Sequence, residues 1–475
     1  MLINIGLNDL KYRYDVYQMF NLYFPLDELK FKEEENFDYL VTIYDDKVVF
    51  KKENFEREEK IYDNIKDSIK KVVFKSLKEL TNDDYPWGTL VGIRPSKIAL
   101  KLLNEGKSEE EIIRYFNDKY LASSEKAKLC IDVAKREESF VNINHEKIAI
   151  YIGMAFCPTR CLYCSFASNP IYGNKKLVTS YLDALSYEIE KIREYVDNKN
   201  LNIETVYFGG GTPTAVSNEE FENIMNKIYN SFVRDKNISE FTVECGRPDS
   251  ITEEKLNTMK KYNVSRISIN PQTMNDDTLK LIGRNHTVED VKEKFNMARK
   301  LGFNDINMDM IIGLPGEGIK EAENTVNEIN KLKPDSLTIH GLSLKRGSRL
   351  YENFILKKGL GIKGQEEISK MYSLSKDLAK DLGLRAYYMY RQKNMVGNME
   401  NLGYAKEGKE CIYNMQMIED TQTIIALGAD AVSKVVFLDE NRIERFPNVK
   451  DVREYVKRID EMVEGKIKLL DTLYK

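Results

Sequence analysis

KIAIYIGMAFCPTRCLYC, residues 147–164, carries the reading that decides the fold. Its first part, KIAIYIG (147–153), is a short apolar run and reads as a buried strand. Its second part sets Cys157, Cys161 and Cys164 in a C-x3-C-x2-C loop directly after that strand. One loop thus offers three thiolates, enough for three corners of a [4Fe–4S] cube. The fourth iron is left without a protein thiolate. A cube held by four cysteines mostly moves electrons, whereas an open iron can hold a substrate or cofactor. A structural zinc usually takes four ligands, often as two C-x2-C pairs, and the chain has no second pair. Cys130, Cys245 and Cys411 are isolated and read as small buried apolar residues.

Outward from this strand the texture repeats. TVYFGG (205–210), EFTVEC (240–245), SRISIN (265–270), INMDMIIG (306–313) and DSLTIH (335–340) read as further strands. Amphipathic helical windows lie between them. Ser217 with Glu220, and Thr287 with Asp290, are capping signals that open two of these helices. Six strand–helix units imply a parallel sheet with right-handed crossovers. The predicted fold class is α/β, with a partial (β/α)6 barrel over 146–345. In such folds the site lies at the carboxyl ends of the strands. An N-terminal α+β domain is expected over 1–145. Short strands are predicted over 1–53, including a hairpin in FDYLVTIYDDKVVFKK that turns at Asp45-Asp46. A helical pattern is predicted from Phe55 to Leu80, then helices at Ser108–Phe116 and Ser123–Glu138. Residues 346–475 read as a mainly helical extension with a short strand near 385–390. The run EREEK (56–60) reads as a solvated face.

Bulk composition narrows the function classes. The 475 residues suffice for two or three domains, and the net charge of −4 gives no reason to expect nucleic acid as a partner. No window of eighteen apolar residues predicts a membrane span. The first residues, MLINIGLNDLKYRYDVYQ, are too polar for a signal peptide. A cytoplasmic, reducing location is the expectation, and it favours clustered cysteines as metal ligands over disulfides.

With these motifs in place, the cysteine loop resembles the signature of the radical S-adenosylmethionine (SAM) enzymes, including an aromatic residue, Tyr163, before the third cysteine. The wider resemblance is to the oxygen-independent coproporphyrinogen III oxidase (dehydrogenase) family, in its HemZ-type branch. It covers 147–345 well. It extends to WGTLVGIRPSK near Trp87 and to YYMYRQKN, NMENLGY and ALGADAVSK in the tail. The resemblance implies that Cys157, Cys161 and Cys164 ligate a [4Fe–4S] cluster and that Tyr151 contacts cluster-bound SAM. GGGTPT, with Gly210, Gly211 and Thr212, ends the second strand. Lacking side chains, this turn lets backbone approach the methionine amino group. The resemblance places Glu244 on the SAM ribose. It assigns Gln272, Arg284, Asp309 and Ser343 to SAM contacts, chiefly to a second molecule beside the first. Arg284 suits a carboxylate, because its guanidinium is planar and bidentate. Where the family continues after the glutamate with Asn-Pro, this chain has Cys245-Gly-Arg247-Pro-Asp249.

The activity so implied is oxidative decarboxylation of two propionate side chains of coproporphyrinogen III, giving protoporphyrinogen IX. A flavodoxin or ferredoxin is the implied electron donor. Cleavage of SAM would yield a 5′-deoxyadenosyl radical that takes hydrogen from the propionate. The family's decarboxylases carry another cysteine two residues after the third ligand; Ser165-Phe166 stands here. Phe166 resembles the haem-chaperone branch of the same superfamily. A haem-binding or haem-modifying role is therefore the competing expectation, with His340 as the candidate axial ligand. His286 is expected to cap a turn and His145 to be exposed at a domain junction. Lys345, Arg346 and Arg349 after the sixth strand could face propionates or water.

Overall fold

The computed structural model describes residues 2–24, 28–32, 37–92, 94–140, 144–166, 168–355, 361–392 and 395–474. The chain forms two compact units: Met1–Lys135 with Lys363–Lys370 and Met389–Asn401, and Arg136–Ile362 with Met371–Tyr388 and Leu402–Lys475. No helix among the described residues is long and apolar enough to cross a membrane.

The first unit holds a five-stranded sheet in the order β2-β1-β3-β4-β5. Its strands are β1 (Leu2–Leu7), β2 (Glu28–Lys32), β3 (Tyr39–Ile43), β4 (Lys47–Lys52) and β5 (Phe55–Lys60). The expected hairpin is present, with Ile43 opposite Val48 across the Asp45-Asp46 turn. Two expectations for this unit are corrected. A helix, Arg13–Tyr23, interrupts the strands predicted over 1–53. It supplies the crossover that the parallel pair β1–β2 requires. Phe55–Lys60 is a strand and not the start of a helix; the helix begins at Ile65 behind an Asn64 cap and runs to Thr81. Both helices bury one face on the sheet, with Val16, Phe20, Ile69 and Val73 joining Ile5, Val41 and Phe50 in the core. Trp87 is wholly buried and donates its indole N–H to Glu400 at 2.7 Å.

The second unit is built on a sheet in the order β14-β15-β13-β12-β11-β10-β9-β6-β16-β17-β18. Its middle is β6 (Lys147–Met154), β9 (Asn202–Gly210), β10 (Glu240–Glu244), β11 (Arg266–Ser268), β12 (Ile306–Ile312) and β13 (Ser336–Gly341). Each pairs in parallel with the next. A two-strand ribbon, β7 (Phe156–Cys157) with β8 (Asn169–Pro170), follows β6. Helices Lys175–Asn198, Asn218–Ile228, Glu253–Lys261, Val288–Lys300 and Ile319–Leu332 connect the six. This is the partial (β/α)6 arrangement. Capping boxes at Ser217–Glu220 and Thr287–Asp290 start two of these helices as expected.

The flanks come from the C-terminal extension. It contains more helix than strand, and β14 (Arg385–Tyr390) lies where a strand was expected. It also supplies β15 (Asn401–Ala405), β16 (Thr423–Leu427), β17 (Val432–Phe437) and β18 (Arg442–Pro447), which the sequence reading missed. β16 runs parallel on the free edge of β6, and β15 antiparallel on that of β13.

Candidate active site

The cysteine loop leaves β6 and is pinned at both ends. Phe156 and Cys157 pair with Asn169 and Pro170. Between them the loop is tied to the turns after β11 and β13. Leu162 N–H donates to Ile282 O at 2.9 Å, the Thr159 hydroxyl to Gly283 O at 2.7 Å, and Arg160 to Gly347 O at 2.6 Å. The three cysteines are free thiols; Cys161 is buried, and Cys157 and Cys164 are half-buried. Burial pushes the Cys157 thiol up to about 12, against the Thr212 hydroxyl, which donates to its sulfur at 3.4 Å.

The glycine turn lies against this loop because it has no side chains. Gly211 N–H donates to Met154 O at 2.7 Å and Thr212 N–H to Phe156 O at 2.8 Å. A Cβ on Gly211 would stand 2.6 Å from Phe156 O and 3.1 Å from Cys157 Sγ. A Cβ on Gly209 would stand 2.8 Å from a Glu244 carboxylate oxygen. Gly210 has φ +95°, the left-handed region where glycine is at ease. The turn therefore brings main chain up to both the thiols and Glu244.

Glu244 ends β10, half-buried, and accepts a hydrogen bond from the Tyr207 hydroxyl. Burial pushes its carboxyl up to about 7; Tyr207 pulls it down and the neighbouring Asp309 raises it again. Tyr207 stacks on Tyr413 with centroids 4.4 Å apart, and Tyr151 lies 6.1 Å from each ring. Asp309, in β12, accepts from Asn307 Nδ2 at 2.7 Å and lies 3.7 Å from His340 Nε2. Burial works against its carboxylate, but His340, Asn307 and Thr338 together hold it below the usual range.

Gln272 has φ +68°, unusual for a side chain with a Cβ, and its backbone bridges Met310. Gln272 Oε1, Asn270 Oδ1 and Arg284 Nε are all buried without a hydrogen-bond partner. Arg284 is buried, donates to Gly246 O at 2.8 Å and approaches the Tyr163 hydroxyl at 3.4 Å. Ser343 lies two residues beyond β13, half-buried. Phe166 is 61% exposed, with Lys345 Nζ 5.7 Å from its ring centre; Arg346 and Arg349 are exposed.

The histidines need correction. His286 does not cap an open turn; it is buried, with Nδ1 3.7 Å from Asp249. His145 is only half-exposed and lies 3.4 Å from Asp439. Cys130, Cys245 and Cys411 are buried, as read. The sequence reading also passed over three site residues. Tyr207 and Tyr413 complete the stack on Tyr151, and Arg247 lies behind the cysteine loop. Tyr207 lies opposite Thr242, two residues before Glu244, a placement that only strand register gives, and the unusual CGRPD run was the signal for Arg247.

Among the described residues no three His, Cys, Asp or Glu side chains are grouped around a single ion. A cube makes a different demand, since each thiolate binds its own iron. The donor set is all sulfur, soft and suited to iron–sulfur chemistry. Beside it lie a bare glycine turn, a carboxylate and three orphaned buried polar atoms. These are groups that a ligand with ammonium, carboxylate and ribose functions would satisfy.

The chain matches the radical SAM superfamily over residues 151–329. It is 42% identical over 421 residues to the oxygen-independent coproporphyrinogen-III oxidase-like protein HemZ of Bacillus subtilis, covering 88% of this chain and 83% of that one. It is 31% identical over 311 residues to the heme chaperone HemW of the same organism, covering 66% and 76%. Among solved structures, the radical SAM enzyme coproporphyrinogen III oxidase (HemN) of Escherichia coli shares the fold. The TM-score is 0.51 at 18% identity, over 70% of this chain and 73% of that one. The superfamily's cofactors are a [4Fe–4S] cluster and SAM. Identity with HemZ extends well past the superfamily segment at both ends, and on that ground the chain belongs to the HemZ family of coproporphyrinogen-III oxidase-like radical SAM proteins.

Proposed function

We propose that the protein is a radical SAM oxidoreductase that converts propionate side chains of coproporphyrinogen III to vinyl groups without oxygen. The observation that carries this reading is the HemZ-like identity across 88% of the chain, which takes in both flanks of the barrel as well as the cofactor segment. In this reading residues 146–345 carry the chemistry, and 1–145 and 346–475 flank it, in a cytoplasmic, reducing setting. Cys157, Cys161 and Cys164 hold the cluster. Gly210, Gly211 and Thr212 present main chain to the methionine end of SAM, beside Tyr151 and Tyr163. Glu244 takes the ribose hydroxyls. Gln272, Arg284, Asp309 and Ser343 complete the SAM contacts, for one molecule or two.

When bound, cluster and SAM supply one-electron cleavage of a carbon–sulfur bond and hence a hydrogen-abstracting radical. The chain's own part is to hold both groups at the strand ends and to exclude water. Conversion of one propionate to vinyl would release CO2, give one hydrogen atom to that radical and pass one electron to an external one-electron acceptor. A flavodoxin or ferredoxin is the proposed source of the reducing electron for the cluster.

Phe166 favours a second reading. An exposed aromatic stands where decarboxylases of the family carry a cysteine, and the HemW chaperones are also relatives. In that reading the protein binds haem. Anaerobic incubation of reconstituted protein with SAM, reductant and coproporphyrinogen III separates the two. Protoporphyrinogen with two CO2 per turnover supports decarboxylation; tight haem binding with no product supports the second reading. Cys161→Ala should remove cluster absorbance and SAM cleavage while circular dichroism stays that of a folded chain. Wild-type SAM cleavage by that variant would refute the cluster assignment.

A further inference from the structure

Arg247 lies directly behind the cysteine loop, with its side chain 4% exposed. Two edges of its guanidinium do different work. Nε and Nη2 fork onto Asp249 at 3.0 and 2.9 Å. Nη1 points the other way, to the Thr159 hydroxyl at 3.0 Å and to Cys161 Sγ at 3.7 Å. The fork fixes the plane of the guanidinium, so the N–H aimed at sulfur is set by Asp249 and not by chance rotation. Behind Asp249 stands the buried His286. Asp249 follows Pro248 in a short 3-10 turn, Pro248–Ser250, and the Ser250 hydroxyl donates to Arg247 O at 2.8 Å. The whole device springs from the Cys245-Gly-Arg247-Pro-Asp249 run.

A buried cation serving only as a structural tie would be satisfied by Asp249 and Thr159. The same edge also meets the Thr159 carbonyl at 3.3 Å, and its remaining contact is to the sulfur of Cys161. Hydrogen bonds and positive charge beside a cluster thiolate stabilise the more negative, reduced cluster and so raise its potential. Among nearby cations, Arg160 is turned to Gly347 O, and Lys345 lies on the Cys164 side.

We propose that Arg247, oriented by Asp249, is a positioning residue that donates to the Cys161 thiolate and makes the cluster easier to reduce. The inference rests on the reading of Cys161 as a cluster ligand. It is tested on full-length reconstituted protein without SAM. Iron and sulfide content are measured first, then the midpoint potential by anaerobic titration followed by electron paramagnetic resonance. Arg247→Met should load iron and show a more negative midpoint than wild type. Arg247→Lys, which keeps the charge but not the fork, should fall between them. Equal midpoints for wild type, Met and Lys variants at equal iron content would overturn the proposal. If the Met variant does not load iron, Arg247→Gln is read in its place, and a wild-type midpoint there overturns the proposal as well. Failure of the underlying reading has a separate signature, because wild-type protein would then take up no cluster at all.

Discussion

At the residue scale, Glu244 shows how position sets chemistry. Its carboxyl is pushed up to about 7 from an ordinary 4.5, with burial as the first cause. Between those two values the folded chain holds a proton that the unfolded chain has lost. Stability of the ligand-free protein must therefore fall as pH rises through that window, then stay at the lower level. Glu244→Gln cannot lose a proton there. The variant should show a flatter melting-temperature profile between pH 4.5 and 7. At pH 8 it should be the more stable form, by on the order of 3 kcal/mol. If Glu244 takes the SAM ribose as proposed, the same substitution should weaken SAM binding, because an amide offers one acceptor oxygen where a carboxylate offers two. Parallel pH profiles for the two proteins would show that Glu244 is not the buried carboxyl described.

At the element scale, the seam between the helix Lys175–Asn198 and the last helix, Ile459–Leu470, is closed by one buried ion pair. Glu188 and Lys466 are both wholly inaccessible and in contact. Glu188 also accepts from Tyr455 at 2.6 Å, Gly428 N–H at 2.8 Å and Asn448 at 2.9 Å. Every carboxylate oxygen is thus satisfied by groups from the C-terminal extension. Glu188→Ala would strand the lysine in the core and should cost about 3–5 kcal/mol in chemical denaturation. Glu188→Leu combined with Lys466→Met should recover much of that loss, because replacing both charges removes the desolvation cost. A double variant as unstable as the single one would mean that the carboxylate's other hydrogen bonds dominate.

Such seams were hard to read from the chain. TIIAL (423–427) is a run of five buried residues, and a short apolar run has no periodicity to separate strand from helix. Phe55–Lys60 alternates half-buried and exposed positions as a strand should, but its charges mimic a helix surface. The helix Arg13–Tyr23 was legible in Val16, Met19, Phe20 and Tyr23, spaced by three and four. The six barrel strands were legible because each ends in a glycine, a charged residue or a turn signal. Candidate site residues could be named from the chain where a motif carried them. Tyr207 and Tyr413 meet at the candidate site through three-dimensional neighbours that no local spacing announces.

At the scale of the whole molecule, the superfamily segment is only the middle of a larger sheet. β6 gives its outer edge to β16, from Ile148 opposite Thr423 to Ile152 opposite Leu427. β13 gives its outer edge to β15, from Ser336 opposite Ala405 to Ile339 opposite Leu402. A fragment of residues 146–345 would expose both rows of unpaired main-chain groups, and exposed edges template association. It would also bury, or open to water, a Glu188 whose four partners all lie beyond residue 427. The fragment should therefore elute as soluble aggregate and melt without cooperativity. The full chain, which retains β15, β16 and the Lys466 partner, should stay free of aggregate under the same conditions. If 146–345 were monomeric with a sharp near-ultraviolet circular dichroism melt, the C-terminal strands would be accessory to the barrel. The sheet order says otherwise: the strand that opens the site, β6, is an interior strand only because the far end of the chain returns to cover it.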